Sequence, residues 1–107
     1  DIISAYKKVE ALASDKLLTT LPPELRPAYD ELFTPSDAHT AALIKAADKL
    51  AAYIKCLEEL KAGNNEFRSA AGQTLKKLRA LEMPEVEYFM ENFIGSFELT
   101  LDELNLD

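Results

Sequence analysis

An all-α helical bundle is the fold class this sequence predicts, and three observations predict it. Apolar residues recur every three or four positions along nearly the whole chain. No stretch alternates apolar and polar residues as a half-buried strand does. The interruptions fall at proline, glycine and paired asparagines, the residues that end helices or start them.

In IISAYKKVEALASDKLLTT, residues 2–20, the positions Ile2, Tyr6, Val9, Ala13 and Leu17 share one face, and Pro22-Pro23 stops the helix. PELRPAYDELF, residues 23–33, supports a short helix with Leu25, Tyr29 and Leu32 on one side. Pro27 is expected in its first turn, where a missing N–H costs little. TPSD, residues 34–37, reads as the next start: Thr34 or Ser36 can accept backbone N–H bonds, and Asp37 suits the positive end of the helix dipole. That helix is expected to run to about Ala62, with Gly63 taking the left-handed position beyond its end. Its predicted core stripe is Leu43, Ala47, Leu50, Ile54 and Leu57.

Asn64-Asn65 restarts a helix that carries Phe67, Ala71, Leu75, Leu78 and Leu81. Gly72 in its middle costs about 1 kcal/mol relative to alanine, so it is expected to mark a close helix contact. Pro84 begins the next helix, with Val86, Phe89, Met90 and Phe93 at i, i+3, i+4 and i+7, ended by Gly95-Ser96. The tail TLDE, residues 100–103, has the spacing of a capping box for one last turn.

A chain of 107 residues fits one compact domain, and 48% hydrophobic with 29% charged residues is an ordinary globular balance. The net charge of −7 argues against a nucleic-acid polymer as partner, since no broad basic stripe is available to meet phosphates. No apolar run approaches the ~18 residues of a membrane span. One cysteine, Cys56, allows no internal disulfide, and a cytoplasmic location is expected.

Few residues offer chemistry. His39 is the only histidine, and with no second histidine or cysteine near it, metal ligation by it has little support. Cys56 lacks a histidine base at suitable spacing and reads as a small helix residue. Phe89, Met90, Phe93 and Phe97 suit core packing better than a ligand box. Glu58-Glu59 and Lys76-Lys77 read as solvated faces. There is no phosphate-binding glycine loop and no GxSxG.

Asp48 stands apart. Its neighbours at i−4, i+3 and i+4 are Ile44, Ala51 and Ala52, and burying an unpaired carboxylate among such residues costs several kcal/mol. It must either face water, as a solvated charge beside Lys45 and Lys49, or hold a cation. Helical spacing alone favours the first and leaves the second open.

LIKAADKLAAYIKCLEELKAGNNEF, residues 43–67, closely resembles the later helices of the YfbR-type 5′-deoxynucleotidases of the HD-domain phosphohydrolase superfamily. The likeness extends to LPPELRPAYDELF before it and EVEYFMENFIGSFELTLDEL after it, and KCLEELKAGNNEF is its most specific run. It covers nearly all of this chain but only the second half of such an enzyme. The resemblance therefore implies one partial domain over residues 1–107, the C-terminal portion of an HD-type fold. In that family a divalent metal is held by the pattern H…HD…D, and Asp48 in KAADKL matches the last aspartate. Lys45, one turn earlier, is placed to pair with Asp48 or to meet a phosphate. The metal implied is cobalt, manganese or magnesium, and the substrate a deoxyribonucleoside 5′-monophosphate, cleaved to deoxyribonucleoside and phosphate.

This chain has no His-Asp doublet, so no catalytic residue is assigned in it, and the isolated chain is expected to be inactive. The rival reading is a free-standing acidic helical interaction module. Self-association is also expected, through Ile2, Tyr6, Val9 and Ala13 or through Phe89, Met90, Phe93 and Phe97.

Overall fold

The computed structural model describes residues 1–34 and 37–104 and contains six α-helices and no strand among them. Two compact units divide the chain, Asp1–Ala41 and Ala42–Asp107.

In the first unit, α1 (Ile2–Thr19) starts on a cap that the periodicity did not reveal: the Asp1 carboxylate accepts the Ser4 N–H at 2.8 Å. Its last turn is tied off by Arg26, whose Nε donates to the Leu21 carbonyl at 3.0 Å and whose Nη2 donates to the Thr19 carbonyl at 3.2 Å. The next helix, α2 (Arg26–Phe33), begins three residues later than expected. Pro22-Pro23 supply no N–H, and the Leu25 amide closes a turn onto the Pro22 carbonyl at 3.0 Å instead. Pro27 lies in the first turn of α2, as its fixed φ predicts. Neither helix has a buried residue; Ile2, Tyr6 and Val9 are 78%, 68% and 61% exposed.

α3 (Ala38–Lys61) is capped by Asp37, not by Thr34. The Asp37 carboxylate accepts the Thr40 N–H at 2.7 Å and its hydroxyl at 2.9 Å, while Thr34 is extended beyond the end of α2. Ser36, the other candidate cap, lies outside the described residues. The far end is a Schellman motif. Gly63 takes φ +91°, its N–H reaches the Leu60 carbonyl at 3.0 Å, and the Asn64 N–H reaches the Glu59 carbonyl at 2.9 Å. Side chains reinforce the stop: the Glu59 carboxylate accepts from Lys55 on one side and from Asn64 Nδ2 at 3.0 Å on the other. These two bonds, the lysine's first, hold the Glu59 carboxyl below the usual carboxylate range.

The second unit's core is small. Ala46, Leu78 and Val86 are 2%, 0% and 2% exposed, with Leu50, Tyr53, Leu81, Met83 and Met90 packed around them. On α3 the inward seam is thus Ala46–Leu50–Tyr53, and Ala47, expected in the core stripe, is exposed. A one-residue rotation separates the two readings, and adjacent alanines cannot distinguish them by hydropathy.

After a 3-10 turn at Asn65–Phe67, α4 (Arg68–Arg79) turns Ala71 and Leu78 fully inward and Leu75 partly, as its stripe predicts. Gly72 does not mark a close contact: it is exposed, and a Cβ built on it meets nothing within 4 Å. α5 (Pro84–Asn92) buries Val86 and ends earlier than Gly95-Ser96. The Ser96 N–H and hydroxyl both return to the Phe93 carbonyl, at 3.1 and 2.7 Å, and so carry the chain through a 3-10 turn at Ile94–Glu98. Phe89 meets Phe93 at a tilt and stacks on Phe97, with ring centroids 5.6 and 6.4 Å apart. Met90 packs against the core and Phe89 and Phe97 are half-buried, while Phe93 is 47% exposed.

Lys61 at the end of α3 fastens the C-terminal segment by donating to the Phe97 and Leu99 carbonyls at 3.3 and 3.0 Å. The expected capping box then opens α6 (Leu101–Leu104): the Thr100 N–H donates to Glu103 at 2.7 Å, and the Glu103 N–H donates back to the Thr100 hydroxyl at 3.4 Å.

Candidate functional site

The site candidate is the outer face of α3. Counting at about 100° per residue, Ala46, Leu50 and Tyr53 lie roughly 140–200° round the helix from Asp48. The core therefore grips α3 from behind and turns Asp48 outward. Within about 60° of Asp48 lie Ile44, Lys45, Ala51 and Ala52, and every one of them is exposed, Ile44 by 51%.

Asp48 is itself exposed, where the small neighbours suggested a helix packed closely enough to bury it in part. The alanines do make room for close approach, but no described element of the second unit lies over them. Asp48 makes no hydrogen bond or ion pair among the described residues. Its carboxylate has no structural role in this unit, and the desolvation cost of burial does not arise.

The lysines around it differ from one another. Lys55, two turns on and nearly in line with Asp48, is engaged by Glu59, an i, i+4 pair. Its hydrogen bond to Glu59 raises its pKa above the ordinary lysine value. Lys49 lies about 100° away round the helix and is half-buried. Lys45 is exposed and unpaired among the described residues.

No group of three or more His, Cys, Asp or Glu side chains among the described residues could hold a metal ion. Asp48 has the right donor chemistry for one ligand, a hard carboxylate oxygen free of other partners, but the described residues do not complete a coordination set. His39 sits in the first turn of α3, nine residues before Asp48, about 180° round the helix from it, and does not join it. Cys56 is buried, which suits a packing residue and not an accessible nucleophile.

A separate cleft of about 480 Å³ opens on the core side of the second unit, floored by Leu78, Val86 and Met90 and rimmed by Tyr53, Arg79, Glu87 and Glu91. Partial burial, and secondarily the Glu98 charge, push the Tyr53 phenol up against the opposing pull of Arg79. Asp48 does not line this cleft.

The family described as "5′-deoxynucleotidase YfbR-like" matches residues 1–97, so the helical chain with an outward Asp48 belongs to that family. A 5′-deoxynucleotidase of Erwinia tasmaniensis is 50% identical over 107 residues, which are 97% of this chain and 54% of that protein. Proteins of the same name from Yersinia pestis and Yersinia pseudotuberculosis are 46% identical over 110 residues, 99% of this chain and 55% of theirs. The chain thus spans about half the length of these curated relatives. Nothing among them favours a free-standing interaction module. No helix of the described residues is long and apolar enough to cross a membrane.

Proposed function

We propose that this chain is the later helical part of a cytoplasmic, metal-dependent 5′-deoxynucleotidase. The complete enzyme would hydrolyse deoxyribonucleoside 5′-monophosphates to deoxyribonucleoside and inorganic phosphate. The observation that supports this reading is the family match over residues 1–97, joined to relatives that carry the name 5′-deoxynucleotidase. Asp48 is assigned one ligand position on a divalent cation, for which cobalt, manganese and magnesium are chemically suitable. When bound, such a cation polarises phosphoryl oxygens and activates water. The part of α3 is positional: its buried seam at Ala46, Leu50 and Tyr53 holds the helix so that the carboxylate projects from a fixed place.

Phosphate release from deoxyribonucleoside 5′-monophosphates, with each metal in turn, tests this. The 107-residue chain is expected to stay at the metal-only blank, because Asp48 alone cannot assemble a site. The complete enzyme is expected to turn over. Clear turnover by the 107-residue chain, surviving Asp48→Ala, would put the chemistry elsewhere; a complete enzyme that releases no phosphate with any of these metals would overturn the assignment.

Self-association belongs to the same proposal. Ile2, Tyr6 and Val9 form an exposed apolar stripe on α1, with Ala13 also exposed further along it. Each large side chain left in water forgoes roughly 1.5–3 kcal/mol of burial, and a second copy of the stripe is a self-complementary cover. Sedimentation equilibrium across a wide concentration range is expected to show a dimer that Val9→Glu weakens. A strictly monomeric parent chain would rule this out.

A further inference from the structure

Lys61, the last residue of α3, donates to two carbonyls far along the chain, those of Phe97 at 3.3 Å and Leu99 at 3.0 Å. These bonds bridge 36 and 38 residues of sequence, whereas those of Arg26, Asp37 and Glu59 fasten groups no more than seven residues away. The segment that Lys61 catches buries little of itself. Phe97 is half-buried and stacks on Phe89, but Leu101 and Leu104 are 79% and 53% exposed and α6 has no buried residue. The Thr100–Glu103 capping box lies within the segment, so it shapes α6 without attaching it to another helix. The Glu103 carboxyl, held below its usual range first by the Thr100 bonds, is lowered further by the Lys61 charge, so the ammonium stands near α6 as well.

The same stretch of chain borders the cleft of the second unit. Ile94 lines that cleft, and Glu98 carries the charge that, after burial, pushes up the Tyr53 phenol on its rim. We propose that residues 97–104 are a strap beside the Tyr53 rim of the cleft, latched to α3 by the Lys61 ammonium and released when that ammonium is lost. An ammonium suits the latch: it has three donors and no acceptor, so each carbonyl takes one hydrogen, and the charge strengthens both bonds. Without it the two carbonyls turn to water and the strap keeps only its ring contact at Phe97. Release then draws Glu98 away from Tyr53 and opens the phenol to solvent. The inference stands apart from the metal-ligand reading of Asp48, which does not line the cleft.

The test compares Lys61→Met with the parent 107-residue chain, since methionine keeps a long stem and removes the donors. Amide hydrogen exchange over residues 97–104 is expected to quicken by about 3–10-fold, the effect of losing exposed charge-assisted bonds that hold a local segment. Nitration of Tyr53 by tetranitromethane, read by mass spectrometry, should quicken by a similar factor, with Tyr29 of α2 at the parent rate. Exchange over α4 should not change. Lys61→Arg should restore most of the parent behaviour, because a guanidinium also donates to carbonyls. Lys76→Met, which removes an exposed cation of α4, should match the parent. Parent-like exchange over residues 97–104, or parent-like nitration of Tyr53, in Lys61→Met would overturn the inference. Equal quickening across α4 would overturn it too, by making Lys61 a prop of the whole unit, as would the same quickening in Lys76→Met.

Discussion

Leu78→Ala is expected to lower the stability of the 107-residue chain by about 2–5 kcal/mol, the range for a fully buried leucine that leaves a cavity. Leu78 is 0% exposed and lies between Ala46 of α3 and Val86 of α5, so it is where three helices meet. Alanine and valine are the only other fully buried members of that cluster, and neither is large enough to collapse into the space. In a domain of this size each 1 kcal/mol moves the midpoint by about 4–8 °C, so the melting temperature should fall by at least ~8 °C. Leu101, 79% exposed, supplies the comparison: its change to alanine should fall within about 0.5 kcal/mol of the parent. Thermal melts followed by circular dichroism measure both. If Leu78→Ala melts with the parent, the core does not lie where α3, α4 and α5 converge.

That core was only partly legible in the sequence, and the reason differs from helix to helix. α4 was readable because Ala71, Leu75 and Leu78 stand among polar neighbours, leaving one helical phase for burial. On α3 the pairs Ala46-Ala47 and Ala51-Ala52 blur the phase. What decides it is tertiary: Tyr53 and Leu50 reach the Leu78 cluster only when Ala46 faces inward. Helix ends followed the same division. Gly63 and the Thr100–Glu103 box have one good geometry each and were correctly placed. Asp37, Ser36 and Thr34 compete for a single cap, and Gly95-Ser96 can as easily continue a 3-10 turn as stop a helix.

The candidate site was legible in another sense. Helical spacing could place Asp48 but could not give it a role, because one carboxylate has no partners in the sequence to define a geometry. The structure adds that the core lies behind it and that it is free of hydrogen bonds and ion pairs among the described residues. Both facts make Asp48 a position where the charge can be removed without disturbing the core of this unit.

In the complete enzyme, Asp48→Asn is expected to reduce metal affinity and turnover by at least ~100-fold. Loss of supporting partners around a metal ligand typically costs about 10–100-fold, and replacing a charged ligand is more severe. Asparagine keeps the shape and one oxygen but gives up the negative charge that favours a hard divalent cation. In the 107-residue chain the fold should be untouched: Asp48 is exposed, has no partner among the described residues, and lies on the side of α3 away from Ala46, Leu50 and Tyr53, so there its change should cost no more than about 0.5 kcal/mol. A damaged core would lower helicity and metal content together, whereas a lost ligand lowers metal content alone. Elemental analysis and circular dichroism on the same preparation separate the two. A folded Asp48→Asn enzyme with full metal and normal turnover would make Asp48 one more solvated charge on an acidic helix.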